Sequence, residues 1–104
     1  MTFAAELEIN NAIAEITLIG ELDASTAPLF KQQVEKALNE NIQRLVLIMQ
    51  DLEYMASAGL RVLIFAKQKL GAAVEIYLIQ PQAMVRDTVE KTGFHHSVII
   101  ADRY

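Results

Sequence analysis

The feature that most constrains the fold is a short, continuously apolar run, Leu45–Met49, which a longer apolar stretch follows at Leu60–Leu70. A run of this length without polar alternation is typical of a strand buried on both faces of a sheet. The second stretch is apolar on nearly every helical turn and precedes Gly71, and glycine is common at the end of a helix. The pattern therefore predicts a central strand, a loop and a buried helix.

Strand and helix patterns alternate along the rest of the chain as well. Ala14, Ile16 and Leu18 alternate with polar residues, as in a strand with one buried face. Further strands are predicted at 7–9, 12–19, 72–79 and 97–101, and further helices from the region of Pro28 to about Asn39 and from Gln82 to Thr92. Strands that alternate with helices indicate a mostly parallel sheet connected by right-handed crossovers.

The predicted fold is therefore α/β, with a mixed, mostly parallel β-sheet of about five strands packed by three or more helices. Asn10-Asn11 tolerates the backbone of a tight turn, so the first two strands are predicted to form a hairpin. Gly20 is predicted to end the second strand, because glycine permits a sharp bend. The chain length of 104 residues fits a single domain over residues 1–104.

Two of the predicted helices are amphipathic, and their apolar sides are expected to face the sheet. In the first of them these side chains are Leu29, Phe30, Val34, Ala37 and Leu38. In the last helix they are Met84, Val85, Thr88 and Val89. Asp23 or Ser25 is predicted to cap the first helix, and proline at position 28 suits its first turn.

Composition limits the classes of function. The chain is 53% hydrophobic, which suffices for a core at this length, and a net charge of −4 argues against a nucleic-acid partner. It contains no cysteine, so disulfides and thiolate metal sites are excluded. No apolar stretch approaches the roughly 20 residues that span a bilayer, and the first residues lack a basic signal region. We therefore expect a cytoplasmic protein without membrane insertion.

Ser57 lies between the central strand and the buried helix, and two interpretations of it remain open. As an N-cap, its hydroxyl would accept a hydrogen bond from the N–H of Gly59 or Leu60, with no further function. As a modification site, it would place a phosphate at the N-terminus of a helix, where unpaired N–H groups and the helix dipole favour negative charge. Position alone favours the cap.

Two motifs around this position carry a family resemblance. The pattern Asp51-Leu-x-x-Met-x-Ser57-x-Gly59-Leu60 resembles the signature of the STAS family, the sulphate transporter and anti-sigma factor antagonist domains. Gly20-Glu-Leu-Asp23 resembles the second recurrent motif of the family, at about the expected distance. The resemblance runs from Leu7 to Ile100 and is greatest to the small stand-alone bacterial members, the anti-anti-sigma factors.

The resemblance implies roles for particular residues. Ser57 falls on the serine that an anti-sigma factor kinase phosphorylates, and Asp23 falls on an acidic residue in the neighbouring loop. The implied partner-binding residues are Asp23, Ser57, Ala58, Gly59, Leu60 and Arg61. Many phosphorylated members have Asp before and Ser after the phosphorylated serine, whereas this chain has Ala56 and Ala58. Both motifs follow predicted strands, which is consistent with one shared surface.

The implied function is an anti-sigma factor antagonist that is not an enzyme. It would bind an anti-sigma factor that is itself a serine kinase, be switched off by phosphorylation of Ser57, and be restored by a serine phosphatase. No cofactor is implied. STAS domains commonly continue into one more helix, and the short tail Asp102–Tyr104 leaves open whether this chain is a minimal member or a shortened one.

Catalytic patterns are weak in this sequence. Ser57, His95 and Asp23 could form a triad on paper, but Met55-Ala-Ser-Ala-Gly59 lacks the Gly-x-Ser-x-Gly elbow. His95 and His96 are adjacent, and on a strand adjacent side chains point to opposite faces and form a poor metal site. Two alternatives remain: a phosphorylation-independent accessory subunit of a larger assembly, such as a lipid-transport ATPase or a stress-sensing complex, and a small hydrolase that uses Ser57.

Overall fold

The computed structural model describes residues 2–103, so Met1 and Tyr104, the ends of the predicted domain, lie outside it. The strands are β1 (Ala4–Asn10), β2 (Ile13–Leu22), β3 (Arg44–Met55), β4 (Glu75–Ile79) and β5 (Ile99–Ala101). The helices are α1 (Ala27–Leu38), α2 (Ser57–Leu70) and α3 (Ala83–Lys91), followed by a short 3₁₀ helix, Phe94–Ser97. Within this part of the chain, none of the helices is both long and apolar enough to cross a membrane.

The strands form one five-stranded sheet in the order β1-β2-β3-β4-β5. The strand β1 is antiparallel to β2, and β3, β4 and β5 continue the sheet in parallel. This arrangement confirms the predicted fold class. The hairpin turn lies one residue later than predicted, because Asn11 and Ala12 adopt positive φ values of 50° and 66° while Asn10 pairs with Ile13 in the ladder.

All three α-helices pack on the same face of the sheet. Crossovers of the usual right-handed sense, each connecting a strand to the next one in a monotonic order, place their helices on one side of a sheet. Phe30 of α1, Leu63 of α2 and Val85 of α3 accordingly belong to one buried cluster with Ile16 and Leu47 of the sheet. Burial of such side chains supplies most of the free energy that favours folding.

The central strands extend further than the sequence predicts. Gly20 was predicted to end β2, but the strand continues to Leu22, because Gly20 adopts a φ of 91° within an irregularity of the ladder and the pairing then resumes. The strand β3 likewise continues beyond Met49 as far as Met55. Both strands therefore project past β4, whose last paired residue, Ile79, lies opposite Ile48.

Two of the apolar residues expected to face the sheet are exposed. Leu29 is 49% exposed and Met84 is 54% exposed. The buried stripe of α1 runs through Phe30 and Val34, and that of α3 through Val85 and Val89. Residues directly before such a stripe point about 100° away from it, since a helix has 3.6 residues per turn.

The region after α3 also differs from the prediction. His95 and His96 lie on the 3₁₀ helix rather than on a strand, and β5 begins only at Ile99. Their ring centroids are 3.9 Å apart, so the two side chains do not point to opposite faces of a sheet. The turn is set by Gly93, which has a φ of 77° and precedes the 3₁₀ helix.

Candidate functional site

The two sequence motifs meet where β2 and β3 end. Leu22 and Met55, the last residues of these strands, lie opposite each other in the parallel ladder. The N–H of Ala56 then donates to the carbonyl of Leu22 over 2.8 Å. The loop that carries Asp23 and the start of the helix that carries Ser57 therefore leave the sheet side by side.

Ser57 does not cap α2, so the first of the two interpretations of this residue is wrong. The cap position is Ala56, which is extended (φ −83°, ψ 172°) and whose carbonyl accepts hydrogen bonds from Gly59 N–H (3.0 Å) and Leu60 N–H (3.2 Å). The strand β3 ends at Met55, and Ala56 is the cap residue between the strand and the helix. Ser57 is the first helical residue, and its hydroxyl is exposed and makes no hydrogen bond within residues 2–103.

Gly59 holds the start of α2 against the strand ends. A Cβ atom at this position would lie 2.6 Å from Leu22 Cγ and 3.0 Å from Met55 Cγ. The first distance is far below van der Waals contact, so any larger residue would displace the helix or the leucine. This close approach connects the second motif, through Leu22, to the residues beside Ser57.

Asp23 organises the neighbouring loop. Its Oδ1 accepts hydrogen bonds from the Ser25 hydroxyl (2.7 Å), the Ser25 N–H (2.9 Å) and the Thr26 N–H (3.2 Å). The Thr26 hydroxyl in turn donates to the carbonyl of Glu21 over 2.9 Å. Although Asp23 and Ser25 were predicted as caps, the cap position of α1 is Thr26, and Asp23 stabilises the turn before it. Pro28 lies in the first turn, as predicted.

The pKa of Asp23 is lowered, chiefly by the hydrogen bond from the Ser25 hydroxyl and against a smaller opposing effect of desolvation. A depressed carboxyl pKa stabilises the folded loop above the pKa of the unfolded chain, and this stabilisation is lost as the pH falls through the folded value. We therefore expect the loop to loosen only in acid, as the pH falls through the lowered pKa of Asp23.

An NMR titration that follows the Asp23 carboxyl carbon tests this expectation. Ser25→Ala should move the pKa of Asp23 upward, towards its ordinary value, because the largest stabilising hydrogen bond is removed. Ser97→Ala, at an exposed serine elsewhere, serves as the control. An unchanged Asp23 pKa in Ser25→Ala would contradict the assignment.

The predicted partner-binding residues divide by exposure. Ser57 and Arg61 are exposed, and Asp23 and Ala58 are partly exposed. Gly59 is buried and Leu60 is only 4% exposed, so in this structure both support the surface from beneath. Their role in partner binding stays a prediction.

Two features at this edge were not assigned from sequence. Leu22 is buried and packs against Gly59, and Ser25 and Thr26 hold Asp23. The signal for the second was present, because an aspartate followed two and three residues later by serine and threonine is typical of a turn stabilised by its own side chains. Tyr54, next to last in β3, is 39% exposed at this edge.

The structure does not assemble the triad considered from sequence. Asp23 and Ser57 lie at the carboxyl ends of the parallel strands, whereas His95 precedes β5 and thus lies at the opposite edge of the sheet. Over residues 2–103 no group of three or more His, Cys, Asp or Glu side chains is placed to hold a metal ion.

Comparison with known proteins identifies the family. The model of the STAS domain matches residues 4–104. The chain belongs to the STAS domain family. The matched residues include both motifs, Gly20–Asp23 and Asp51–Leu60, so the ends of β2 and β3 described above lie within the STAS domain.

Similar proteins come from several bacteria. The anti-sigma-F factor antagonist RsfB of Mycobacterium tuberculosis is 24% identical over 84 residues, which cover 81% of this chain and 69% of RsfB. An anti-sigma factor antagonist from Mycobacterium paratuberculosis superimposes with a TM-score of 0.87 at 21% identity, over 96% of this chain and 86% of the other.

The anti-sigma factor antagonist SpoIIAA resembles this STAS domain in both its unphosphorylated and its phosphorylated form. The unphosphorylated form gives a TM-score of 0.82 at 23% identity, over 94% of this chain and 88% of that chain. The phosphorylated form, from Bacillus, gives 0.75 at 22% identity, over 94% and 91%. At these identities the superpositions show a shared fold.

Proposed function

We propose that this STAS domain is an anti-sigma factor antagonist. In the unphosphorylated state, the surface around Ser57 binds an anti-sigma factor that is also a serine kinase, and a sigma factor is thereby released in the cytoplasm. The domain acts by binding and catalyses no reaction. The observation that carries the proposal is the Ser57 hydroxyl, which is exposed at the start of α2 and is not used as a helix cap.

Phosphorylation of Ser57 is the proposed switch. A phosphate adds about −1.5 to −2 charges at neutral pH. The neighbouring positions on the strand ends and loop already include the exposed acids Glu21 and Glu53 and the partly exposed Asp23. A partner surface that accommodates the neutral Ser57 hydroxyl would have to bury the charged phosphate beside these acids. Binding to the partner would therefore weaken, although the fold of the domain does not change. A serine phosphatase would reverse the change.

Two of the similar proteins support this proposal by what their names and structures state. RsfB is named as an anti-sigma-F factor antagonist, and SpoIIAA has been solved with and without phosphate. We extend both properties to the present chain on the position of Ser57 within the shared fold.

A phosphorylation-independent accessory subunit is the second candidate. Its support is that Ala56 and Ala58, on either side of Ser57, offer a partner or a kinase no polar side chain. The backbone N–H of Ala56 is moreover already engaged with Leu22. In this role the Ser57 surface would still dock, but no modification would regulate it.

The intact mass of the protein after incubation with ATP and the candidate anti-sigma factor kinase distinguishes the two. One added phosphate, mapped to the peptide that contains Ser57 and absent in Ser57→Ala, is the expected result. Ser97→Ala is the matched control, because Ser97 is an exposed serine before β5, away from the Ser57 surface, and should leave the phosphorylation intact. No added phosphate, with a kinase proven active on another substrate, would favour the accessory subunit.

A further inference from the structure

The sheet has a second face that carries no helix. Because all crossovers place α1, α2 and α3 on one side, no helix within residues 2–103 covers the opposite side, which we call the open face. Sheets normally bury an apolar face against another layer. The composition of the open face therefore indicates whether a partner covers it.

The strand register identifies the side chains of the open face. Residues opposite each other in neighbouring strands share a face, and successive residues alternate between faces. Two rows cross the sheet on this side: Glu15, Val46, Tyr77 and Ile99, and Thr17, Ile48, Ile79 and Ala101. Across β3, β4 and β5 both rows are apolar except for the tyrosine hydroxyl. We call these six residues the apolar block.

The apolar block is separate from the main core. None of its members belongs to the buried cluster beneath the helices or to the side chains packed against that cluster. Val46 and Ile79 are buried at its centre, Ile48 and Tyr77 are partly exposed, and Ile99 at the edge is 38% exposed. Its three strands span about 10 Å from first to last, roughly the diameter of one α-helix.

The half of the open face formed by β1 and β2 is acidic. Glu8 lies opposite Glu15, and Glu6 lies opposite Thr17, so three carboxylates border the apolar block on one side. Arg44 is the one basic side chain that the register places on this face among the described strands, and it pairs with Glu75 at 3.5 Å and lies over the Tyr77 ring at 5.7 Å. The border therefore carries a net negative charge.

We propose that the open face is a docking surface for a basic amphipathic helix of a partner protein. The apolar stripe of that helix would cover the apolar block, and lysine or arginine side chains along one flank would approach Glu6, Glu8 and Glu15. Amphipathic helices already pack on the other side of the same sheet, so its twist accepts them.

Charge decides between this occupant and a second copy of the chain. Two copies paired face to face would bring the acidic borders near each other or onto the apolar block, where the carboxylates of one copy would be desolvated or would repel those of the other. A basic helix instead offers complementary charge. The open face is also on the side of the sheet away from α2, so docking there is independent of the state of Ser57.

The test uses the full-length protein and a synthetic helical peptide with leucines on one side and lysines on the other. Amide NMR shifts on titration should change mainly at 44–48, 75–79 and 99–101. Ile99→Glu should weaken peptide binding about tenfold, because it places a charge in the apolar contact. Met84→Glu is the matched control, since it adds the same charge at an exposed apolar residue of α3 and should leave binding unchanged.

A second pair of variants tests the charge. Replacing Glu6 and Glu8 by glutamine should weaken lysine-peptide binding and reduce its salt dependence, whereas replacing Glu35 and Glu40, which are exposed away from this face, should not. The proposal is overturned if the peptide does not bind, if the shifts map to the helices, or if a glutamate version of the peptide binds equally well. A wild-type dimer that Ile99→Glu dissociates would overturn it in favour of a second copy.

Discussion

Ser57→Asp should weaken binding of the protein to its anti-sigma factor kinase about 100-fold, which corresponds to ~3 kcal/mol. The substitution places a carboxylate where the exposed hydroxyl starts α2. In the free protein the charge is tolerated, because acids are favourable in the first turn of a helix. The loss therefore falls on the complex, where the charge becomes desolvated, and the melting temperature should change little. Calorimetric titration and thermal unfolding measure the two quantities.

Two variants make this result specific. Ser57→Ala should bind within a small factor of wild type and remain insensitive to ATP, because the neutral surface is kept and the acceptor is removed. Ser97→Asp adds the same charge at an exposed serine on the opposite edge of the sheet and should bind like wild type. Equal affinity of Ser57→Asp and wild type would refute the charge switch while leaving the fold assignment intact.

Gly59→Ala should lower the free energy of unfolding by about 1–3 kcal/mol, although alanine is the better helix former. The added Cβ would lie 2.6 Å from Leu22 Cγ, a branched atom that cannot move without the whole side chain. Leu22 is itself fully buried, so little space is available for it to retreat. Chemical denaturation of the two proteins gives the difference.

A double-mutant cycle isolates the contact. Leu22→Ala alone should cost about 2–5 kcal/mol, but in that background Gly59→Ala should be neutral or stabilising by up to about 1 kcal/mol. Gly71→Ala is the control, since Gly71 has a φ of 77° and open space around it, so its strain is in the backbone. Its effect should be the same in both backgrounds. Additive effects for Gly59 and Leu22 would contradict the packing argument.

Much of the fold could be predicted from local patterns. The order of strands and helices, the parallel sheet and the helix end at Gly71 follow from periodicity and from the conformational preferences of single residues. Such signals are properties of neighbours in the chain, and each was present in the sequence. The two family motifs likewise identified Ser57 and Asp23, since each motif is a short segment of the chain.

The environment of those two residues depended on contacts between distant parts of the chain. The pairing of β3 with β2 extends to a hydrogen bond from the Ala56 N–H to the Leu22 carbonyl. The cap position is therefore Ala56 instead of Ser57, and the Ser57 hydroxyl has no capping role. No local pattern tells where such a ladder stops, because its partner lies on another strand. The exposure of Leu29 and Met84 and the bare second face of the sheet have the same origin: a sequence shows which side chains are apolar, but only packing decides which of them another layer covers.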